Sequence, residues 1–255
     1  MIIDNHSNPS AVEMLGKASR YTGAHLVLNR ENLGVAVALN QGIATASEKQ
    51  FRWVLTLDQD TVVAPNLVAN LVAEYSRANT KQNVAVIGSN YWMGSSRRTE
   101  LPFNRVRVET IERPYVITAG SLFSLAAVAE VGPFRDRLFI DYVDVEFCFR
   151  ARSRGFLVLC LVSPFMWQPI GNTVTKSFLG RRMSSSHHSA ERRYSMTRNF
   201  IVVTRGYWRR EPAWVLAELL HWTRSLIGLI LLEDQRSQKL SRMLSGVRDG
   251  LTSRI

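Results

Sequence analysis

The feature that most limits how this chain can fold is an alternation over its first ninety residues. Short apolar runs of β type are separated by amphipathic stretches of helical period. Met1-Ile2-Ile3, Leu26-Val27-Leu28, Trp53–Leu57 and Val84–Ile87 read as strands, and residues 10–20, 33–46 and 66–78 read as the helices between them. Such alternation predicts an α/β fold: a Rossmann-like, mixed but mostly parallel sheet flanked by helices. Pro9 and Pro65 fall where a first helical turn tolerates proline, and Asn32 falls where a cap belongs. In an open sheet of this kind ligands gather beyond the carboxyl ends of the strands, so the residues that follow each strand are the first candidates for a site.

Beyond residue 90 the regularity lapses. Gly94–Arg113 is polar and broken, which predicts a long loop or an irregular hairpin. A strand Tyr115–Thr118 leads to Gly120 and a short helix begun at Ser124. A turn at Gly132-Pro133 follows, then an acidic stretch 141–146, a helix to about Ser153 and a strand Phe156–Val162. Residues 173–189, rich in Ser, Thr, Arg and His, show little periodicity and read as mobile. Two helices, 190–206 and 212–232, follow. Trp214–Leu232 approaches the length of a membrane span, but Glu218, His221 and Arg224 interrupt it, and each charge at bilayer depth costs about 2.5–3.5 kcal/mol. An interfacial helix is the expectation. No internal repeat is visible, and the boundary falls at 172: a catalytic domain over 1–172 and a basic helical region over 173–255.

Charge sharpens that division. Residues 171–255 hold 15 Lys/Arg against 6 Asp/Glu, whereas residues 1–170 hold 17 against 15. Nucleic acid, anionic lipid and an anionic substrate all attract such a segment. Nucleic acid ranks lowest, because the basic residues join no recognisable reading motif, and Trp208, Trp214 and Trp222 lie with an apolar helix instead of a basic groove. Cys148 and Cys160 sit inside apolar runs, which suggests neither a disulfide framework nor a zinc site and fits a reducing compartment. Met1 runs straight into Ile2-Ile3-Asp4 with no basic-then-apolar leader, so the expectation is a cytoplasmic protein.

The third strand delivers Asp58-Gln59-Asp60-Thr61 to the carboxyl edge. Two carboxylates one residue apart suit a divalent cation that shares phosphate oxygens and so neutralises a departing diphosphate. A surface turn, where Asp satisfies local backbone donors, fits the triplet equally. Asp141-Tyr142-Val143-Asp144-Val145-Glu146 precedes a helix, with Asp141 as its expected cap and Asp144 in a first turn that favours carboxylates without any catalysis. Transfer to a hydroxyl needs a general base apart from the metal carboxylates, and Asp144 is the candidate. Asp4-Asn5-His6-Ser7 ends the first strand as a ligand group or as a turn and cap. Gly120 permits either close approach to a sugar or a tight turn.

In order and spacing these pieces resemble the family-two inverting glycosyltransferases of the GT-A fold, especially their bacterial rhamnosyltransferase branch, across most of the chain. Ile3-Asp4-Asn5-His6-Ser7 resembles the base-contacting Asp-Asn-Gly-Ser element, with His6 in place of Gly, and implies that Asp4 bonds a pyrimidine ring. Asn32-Leu33-Gly34-Val35-Ala36 through Asn40-Gln41-Gly42 is similar to the Asn-x-Gly helix entry, which makes Asn32 and Gly34 substrate-binding residues. Leu57-Asp58-Gln59-Asp60-Thr61 resembles the Asp-x-Asp signature, with Asp60 the principal metal ligand and Asp58 beside the ribose or metal. Thr118-Ala119-Gly120-Ser121 resembles the glycine-containing strand beside the acceptor. Leu138–Glu146 with Arg150 resembles the acidic motif, with Asp141 beside the substrate and Asp144 at the catalytic base. Arg193-Tyr194 and Arg198-Asn199 look like the branch's C-terminal pairs. They would steer diphosphate, bind lipid head groups or form a solvated basic face.

Three departures accompany the likeness. The family places a strand before the Asp-Asn element that this chain starts too late to contain, which predicts an N-terminal truncation. Gln168-Pro169 precede Ile170-Gly171 where many relatives carry a His. Val143 stands where the motif has another carboxylate. The resemblance implies an inverting transfer of a nucleotide-activated deoxyhexose such as dTDP-rhamnose, with Mg2+ or Mn2+. The acceptor would be a lipid-linked glycan at the inner face of the plasma membrane. Two readings stay beside it: a nucleotidyltransferase, which shares the sheet and paired carboxylates, and an inactive membrane-peripheral relative.

Overall fold

The computed structural model describes residues 1–79, 83–94, 108–169, 173–178 and 181–253. The first half runs β1 (Ile2–Asp4), α1 (Pro9–Thr22), β2 (Leu26–Leu28), α2 (Gly34–Glu48), β3 (Trp53–Thr56), β4 (Val62–Val63), α3 (Leu67–Asn79) and β5 (Val84–Gly94). It continues with β6 (Thr110–Glu112), β7 (Ser121–Ser124), α4 (Leu125–Val131), a 3-10 turn at Asp136–Leu138, α5 (Val143–Ser153) and β8 (Leu157–Pro169). The hairpin β9 (Thr173–Phe178) and β10 (Arg181–Ser186) leads to α6 (Ala190–Tyr207), α7 (Pro212–Leu232) and α8 (Arg236–Thr252).

Local signals start these helices. Asn8 caps α1 by accepting from the Ala11 N–H (2.9 Å), Pro9 takes its first turn, and Gly23 closes it in the left-handed conformation. Ser124 caps α4 and Ser189 caps α6 in the same way. In β7, β5 and β8 successive side chains pass to opposite faces of the sheet. Phe123, Val86 and Val158 enter one core with Phe134, Phe147 and Ile43, while Leu122, Ile87 and Leu159 enter the other with Leu67, Leu71 and Phe165. Helices α2, α4 and α5 therefore cover one face and α3 the other.

Sheet order is β3-β7-β5-β8-β4, with β6 also paired to β8. The longest ladder, β5 with β8, is parallel, as is β1 with β2; β7, β4 and β6 run against their neighbours. The mixed α/β architecture is the one the alternation predicts. Strand β1 with β2 forms a separate two-stranded sheet.

Several local expectations need correction. Tyr115–Thr118 is not a strand: the Gly120 turn places Ser121–Ser124 between β3 and β5 instead, and a turn hydrogen bond from the Ser121 hydroxyl to the Ile117 carbonyl (2.6 Å) holds the preceding segment. Asp141 does not cap α5; Tyr142 holds that position in a left-handed conformation, with no side-chain cap bond. Residues 173–178 and 181–186 pair as antiparallel strands, from Thr173 opposite Ser186 to Phe178 opposite Arg181, where the sequence shows little periodicity. The part of the Gly94–Arg113 expectation that covers 95–107 lies outside the described residues, as do Ile170 and Gly171.

The expected basic helices form, and a third joins them. A side chain at Gly246 would stand 2.7 Å from the Tyr194 carbonyl oxygen, and one at Gly250 would stand 2.8 Å from that of Arg198, so α8 lies directly on the backbone of α6. Phe149 of α5 meets Trp214 edge-on at 5.0 Å, and Phe200 stacks on Trp222 at 5.4 Å. These rings, with Val145 and Val203, join the α/β half to α6 and α7. Arg193 is buried at 1% exposure against Glu233, so of the two Arg-bearing pairs it cannot face lipid or diphosphate.

Candidate active site

A cleft of about 650 Å³ separates β1 from β3, lined by Ile3, Leu39 and Val54 and opening at its carboxyl end on Asn5, Asp58 and Thr118. The two strands turn backbone groups into it. The Ile2 N–H donates to His25 (2.7 Å) and the Asp4 carbonyl accepts from Asn29 (3.0 Å), so the peptide groups of Ile3 between them face away from β2. The Thr56 and Arg52 carbonyls accept from Gly120 (2.8 Å) and Leu125 (3.1 Å), so those of Trp53 and Leu55 face away from β7.

At the mouth of the cleft, polar side chains tie β1 to the start of α2. The Asn5 amide donates to the Gly34 carbonyl (2.8 Å), and Asn29 donates to Asn5 (2.8 Å) and exchanges bonds with Gln41 (3.1 and 2.9 Å). Asn32 accepts from the Gly34 N–H (3.0 Å) one residue ahead of the N-cap, Leu33, so it stands at the helix entry but does not hold the cap position the sequence predicts. Asp4 is only 4% exposed, and its carboxylate accepts from the Ser7 N–H (3.1 Å). Burial pushes that carboxyl up, but the hydrogen bonds from Ser7 and His6 and the charge of His6 outweigh it and hold the group below its ordinary value. Asp4 thus shapes the turn that presents Asn5.

Asp58 and Asp60 leave the end of β3 together. Burial, and then the like charge of Asp60, push the Asp58 carboxyl above the usual range, and a hydrogen bond from the Gln168 amide (3.3 Å) opposes that shift. The Thr61 hydroxyl donates to the other end of Gln168 (2.7 Å), so β8 delivers Gln168 into the same corner. Mutually repelling carboxylates are what a bound cation relieves. Among the described residues no third His, Cys, Asp or Glu joins them, so a cation held by this pair would need oxygens from outside the chain. The residues fit a hard cation shared with a diphosphate.

Opposite lies the loop Leu138–Tyr142. Phe139, Asp141 and Tyr142 have φ of 63°, 61° and 62°, values that cost a non-glycine residue about 1–3 kcal/mol: Tyr142 is left-handed, and Phe139, with ψ of −64°, centres a γ-turn closed by the Ile140 N–H on the Leu138 carbonyl (2.7 Å). Contacts on three sides hold it. The Phe139 carbonyl accepts from the N–H groups of Val35 (2.7 Å) and Ala36 (3.4 Å), and a side chain at Gly34, itself at φ 84°, would stand 2.6 Å from that oxygen. Tyr142 donates to Glu218 (2.5 Å) and accepts from Trp222 (3.0 Å), both on α7. Asn199 of α6 binds the remaining carbonyls.

This loop launches α5, whose first turn carries Asp144. Burial raises the Asp144 carboxyl to about 6; bonds from the Val145 and Asp144 backbones pull it down, and the charges of Asp141 and Asp58 push it up again. A half-buried carboxyl near 6 can take a proton at neutral pH from a group that reaches it. Asp141, beside it, is paired with Arg192 (3.0 Å).

The structure thus gathers Asn32, Gly34, Asp58, Asp60, Asp141 and Asp144 around one carboxyl edge. Gly120 sits there at φ 67°, and a side chain at that position would overlap Met166, so the turn itself requires glycine. The roles of Glu218, Trp222 and Asn199 escape sequence reasoning, since each acts on a loop more than fifty residues away.

Residues 1–132 match the model of the family described as glycosyl transferase family 2. The dTDP-rhamnosyl transferase RfbF of Shigella flexneri is 27% identical over 267 residues, which span 99% of this chain and 86% of the relative. The S. aureus TarS 1–349 structure in complex with UDP superposes with a TM-score of 0.58 at 15% identity, over 96% of this chain and 70% of that one. GalNAc-T7 with UDP, GalNAc and Mn2+ gives 0.55 at 16% identity over 84% of this chain, which spans only 42% of that protein. The solved structures establish the shared fold.

Proposed function

The chain belongs to glycosyl transferase family 2 and is a hexosyltransferase, and from that premise we propose that it moves rhamnose from dTDP-rhamnose to a growing lipid-linked glycan, with inversion. The observation that carries the reading is Asp144, a half-buried carboxyl raised to about 6, within electrostatic reach of the Asp58-Gln59-Asp60 corner. The likeness to a dTDP-rhamnosyl transferase supports the donor.

Asp144 takes the proton of the acceptor hydroxyl as that oxygen attacks the anomeric carbon, while the bond to the diphosphate breaks on the opposite face. Asp58 and Asp60 would hold Mg2+ or Mn2+, which when bound neutralises charge on the departing diphosphate. Gln168 orients Asp58. The Gly34 turn and Asn5 shape the cleft mouth where the nucleotide would lie, and the open edges of β1 and β3 across the cleft fit one further extended strand.

Incubation with dTDP-rhamnose and a lipid-linked acceptor should release dTDP in the presence of Mg2+ or Mn2+. Chelation or Asp60→Ala should lower turnover by about a hundredfold, an effect typical of losing electrostatic stabilisation of a leaving group. Release from UDP-GlcNAc at the same rate would discard the donor assignment, and full activity in excess EDTA would discard the cation.

Helix α7 supports an acceptor presented at a membrane surface. It is, among the described residues, the one helix apolar and long enough to cross a bilayer, with mean hydropathy 1.5. Trp214, Leu229 and Leu232 pack inward, while Leu216, Leu219, Leu220, Ile227, Ile230 and Leu231 form an exposed stripe rimmed by exposed Arg224. Exposed Trp208, Arg209 and Arg210 stand just before it. We read this as a helix lying in the cytoplasmic membrane interface. Binding to vesicles of phosphatidylglycerol and phosphatidylethanolamine should fall at least tenfold in Leu219→Glu/Leu220→Glu; undiminished binding would remove α7 from the contact.

A further inference from the structure

We infer that Asn199 is a positioning residue, fixing through three main-chain carbonyls the positive-φ loop that presents Asp144; the inference rests on Asp144 acting as the base. Asn199 is fully buried on α6. Its amide donates to the carbonyls of Leu138 (2.7 Å), Ile140 (2.8 Å) and Asp141 (3.0 Å), and its own oxygen accepts from Arg198 Nε (3.0 Å). Arg198 adds bonds to the carbonyls of Arg137 (2.6 Å) and Leu138 (3.2 Å).

The residue type follows from the geometry. Converging carbonyls inside a core need a short side chain with more than one donor hydrogen and no charge of its own, and asparagine provides that. Aspartate would oppose acceptors with acceptors, and leucine would leave the carbonyls unsatisfied, a cost the fold avoids. On the far side the same loop rests on the start of α2 through the Phe139 carbonyl, with Gly34 leaving room for it. The loop is therefore gripped between the cleft-side helix and α6, and Asp144 follows it by two residues. A displacement of about 1 Å at such a group costs about a hundredfold in rate.

The test compares the full chain with Asn199→Ala and Asn199→Ser by circular dichroism, dTDP titration and turnover of dTDP-rhamnose, beside Asp144→Asn. A folded Asn199→Ala should lose thirtyfold or more in kcat, with dTDP affinity and donor KM within twofold of the parent. Asn199→Ser, which retains one donor, should recover part of the loss. Parent-like kcat in a folded Asn199→Ala, or a loss of dTDP binding that matches the loss of kcat, overturns the positioning role. If the alanine variant does not fold, the serine variant decides by the same split. Retained turnover in Asp144→Asn sinks the base assignment instead, whatever Asn199 does.

Discussion

Asp144→Asn should stop transfer and, at neutral pH, make the protein more stable. Loss of a general base costs about 10²–10⁴ in rate, so kcat should fall by about a thousandfold while dTDP affinity stays near that of the parent, because Asp58 and Asp60 are untouched. The stability effect follows from the raised carboxyl, at about 6 in the folded chain against an ordinary 3.8. A folded state that holds a proton more tightly than the unfolded one loses stability as pH rises from 3.8 to about 6, and the whole penalty persists above that. That penalty is on the order of 3 kcal/mol, and a neutral isostere escapes it. At pH 7.5 the variant should melt about 5 °C higher than the parent, and at pH 3.5 the two should coincide. The parent's kcat should rise with an acid limb near pH 6. Turnover within tenfold of the parent would remove Asp144 from the chemistry, and a lower melting temperature at pH 7.5 would show that its charge is not a cost to the fold.

What sequence reveals here depends on the range over which each constraint acts. Periodicity is local, so β1, α1, β2, α2, β3 and α3 fall where alternation places them, although Leu33 and not Asn32 caps α2 and α3 begins two residues past Pro65. Asp58, Asp60 and Asp144 are legible because a strand end and a first helical turn each bring a short motif to the carboxyl edge. Tyr115–Thr118 misleads because its apolar run continues through Ser124, and only the Gly120 turn and the two flanking strands decide which part pairs. Helix α8 goes unseen because Gly246 and Gly250 read as helix breakers, whereas their value lies in letting the helix touch the backbone of α6. Arg193 and Asn199 show the same limit. In a basic segment the two Arg-bearing pairs read as ligand-binding or solvated, yet Arg193 and Asn199 are buried, with their partners at Glu233 and on the loop before α5.

The largest loss of stability should come from Glu233→Ala. Glu233, fully buried just past the end of α7, takes Arg193 of α6 on one oxygen (2.6 Å) and Lys239 of α8 on the other (2.8 Å), with the Ser185 hydroxyl donating to it as well. One carboxylate thus joins three helices and a hairpin. Truncation leaves a guanidinium and an ammonium, 1% and 2% exposed, without their counter-charge, and such a break costs about 3–5 kcal/mol. Burial raises the Glu233 carboxyl, but bonds from Lys239, Ser185 and Arg193 outweigh it and hold the group below its ordinary 4.5. Its contribution is accordingly whole above pH 4.5 and lost as pH falls through the lower folded value, so parent and variant should converge in strong acid. Urea unfolding at pH 7 measures the gap. The triple change Glu233→Leu/Arg193→Met/Lys239→Met separates charge from packing: it should regain most of the loss, since apolar groups of like volume replace buried ion networks at little cost. An alanine variant within 1 kcal/mol of the parent would mean that water reaches the cluster and that its two cations do not depend on Glu233.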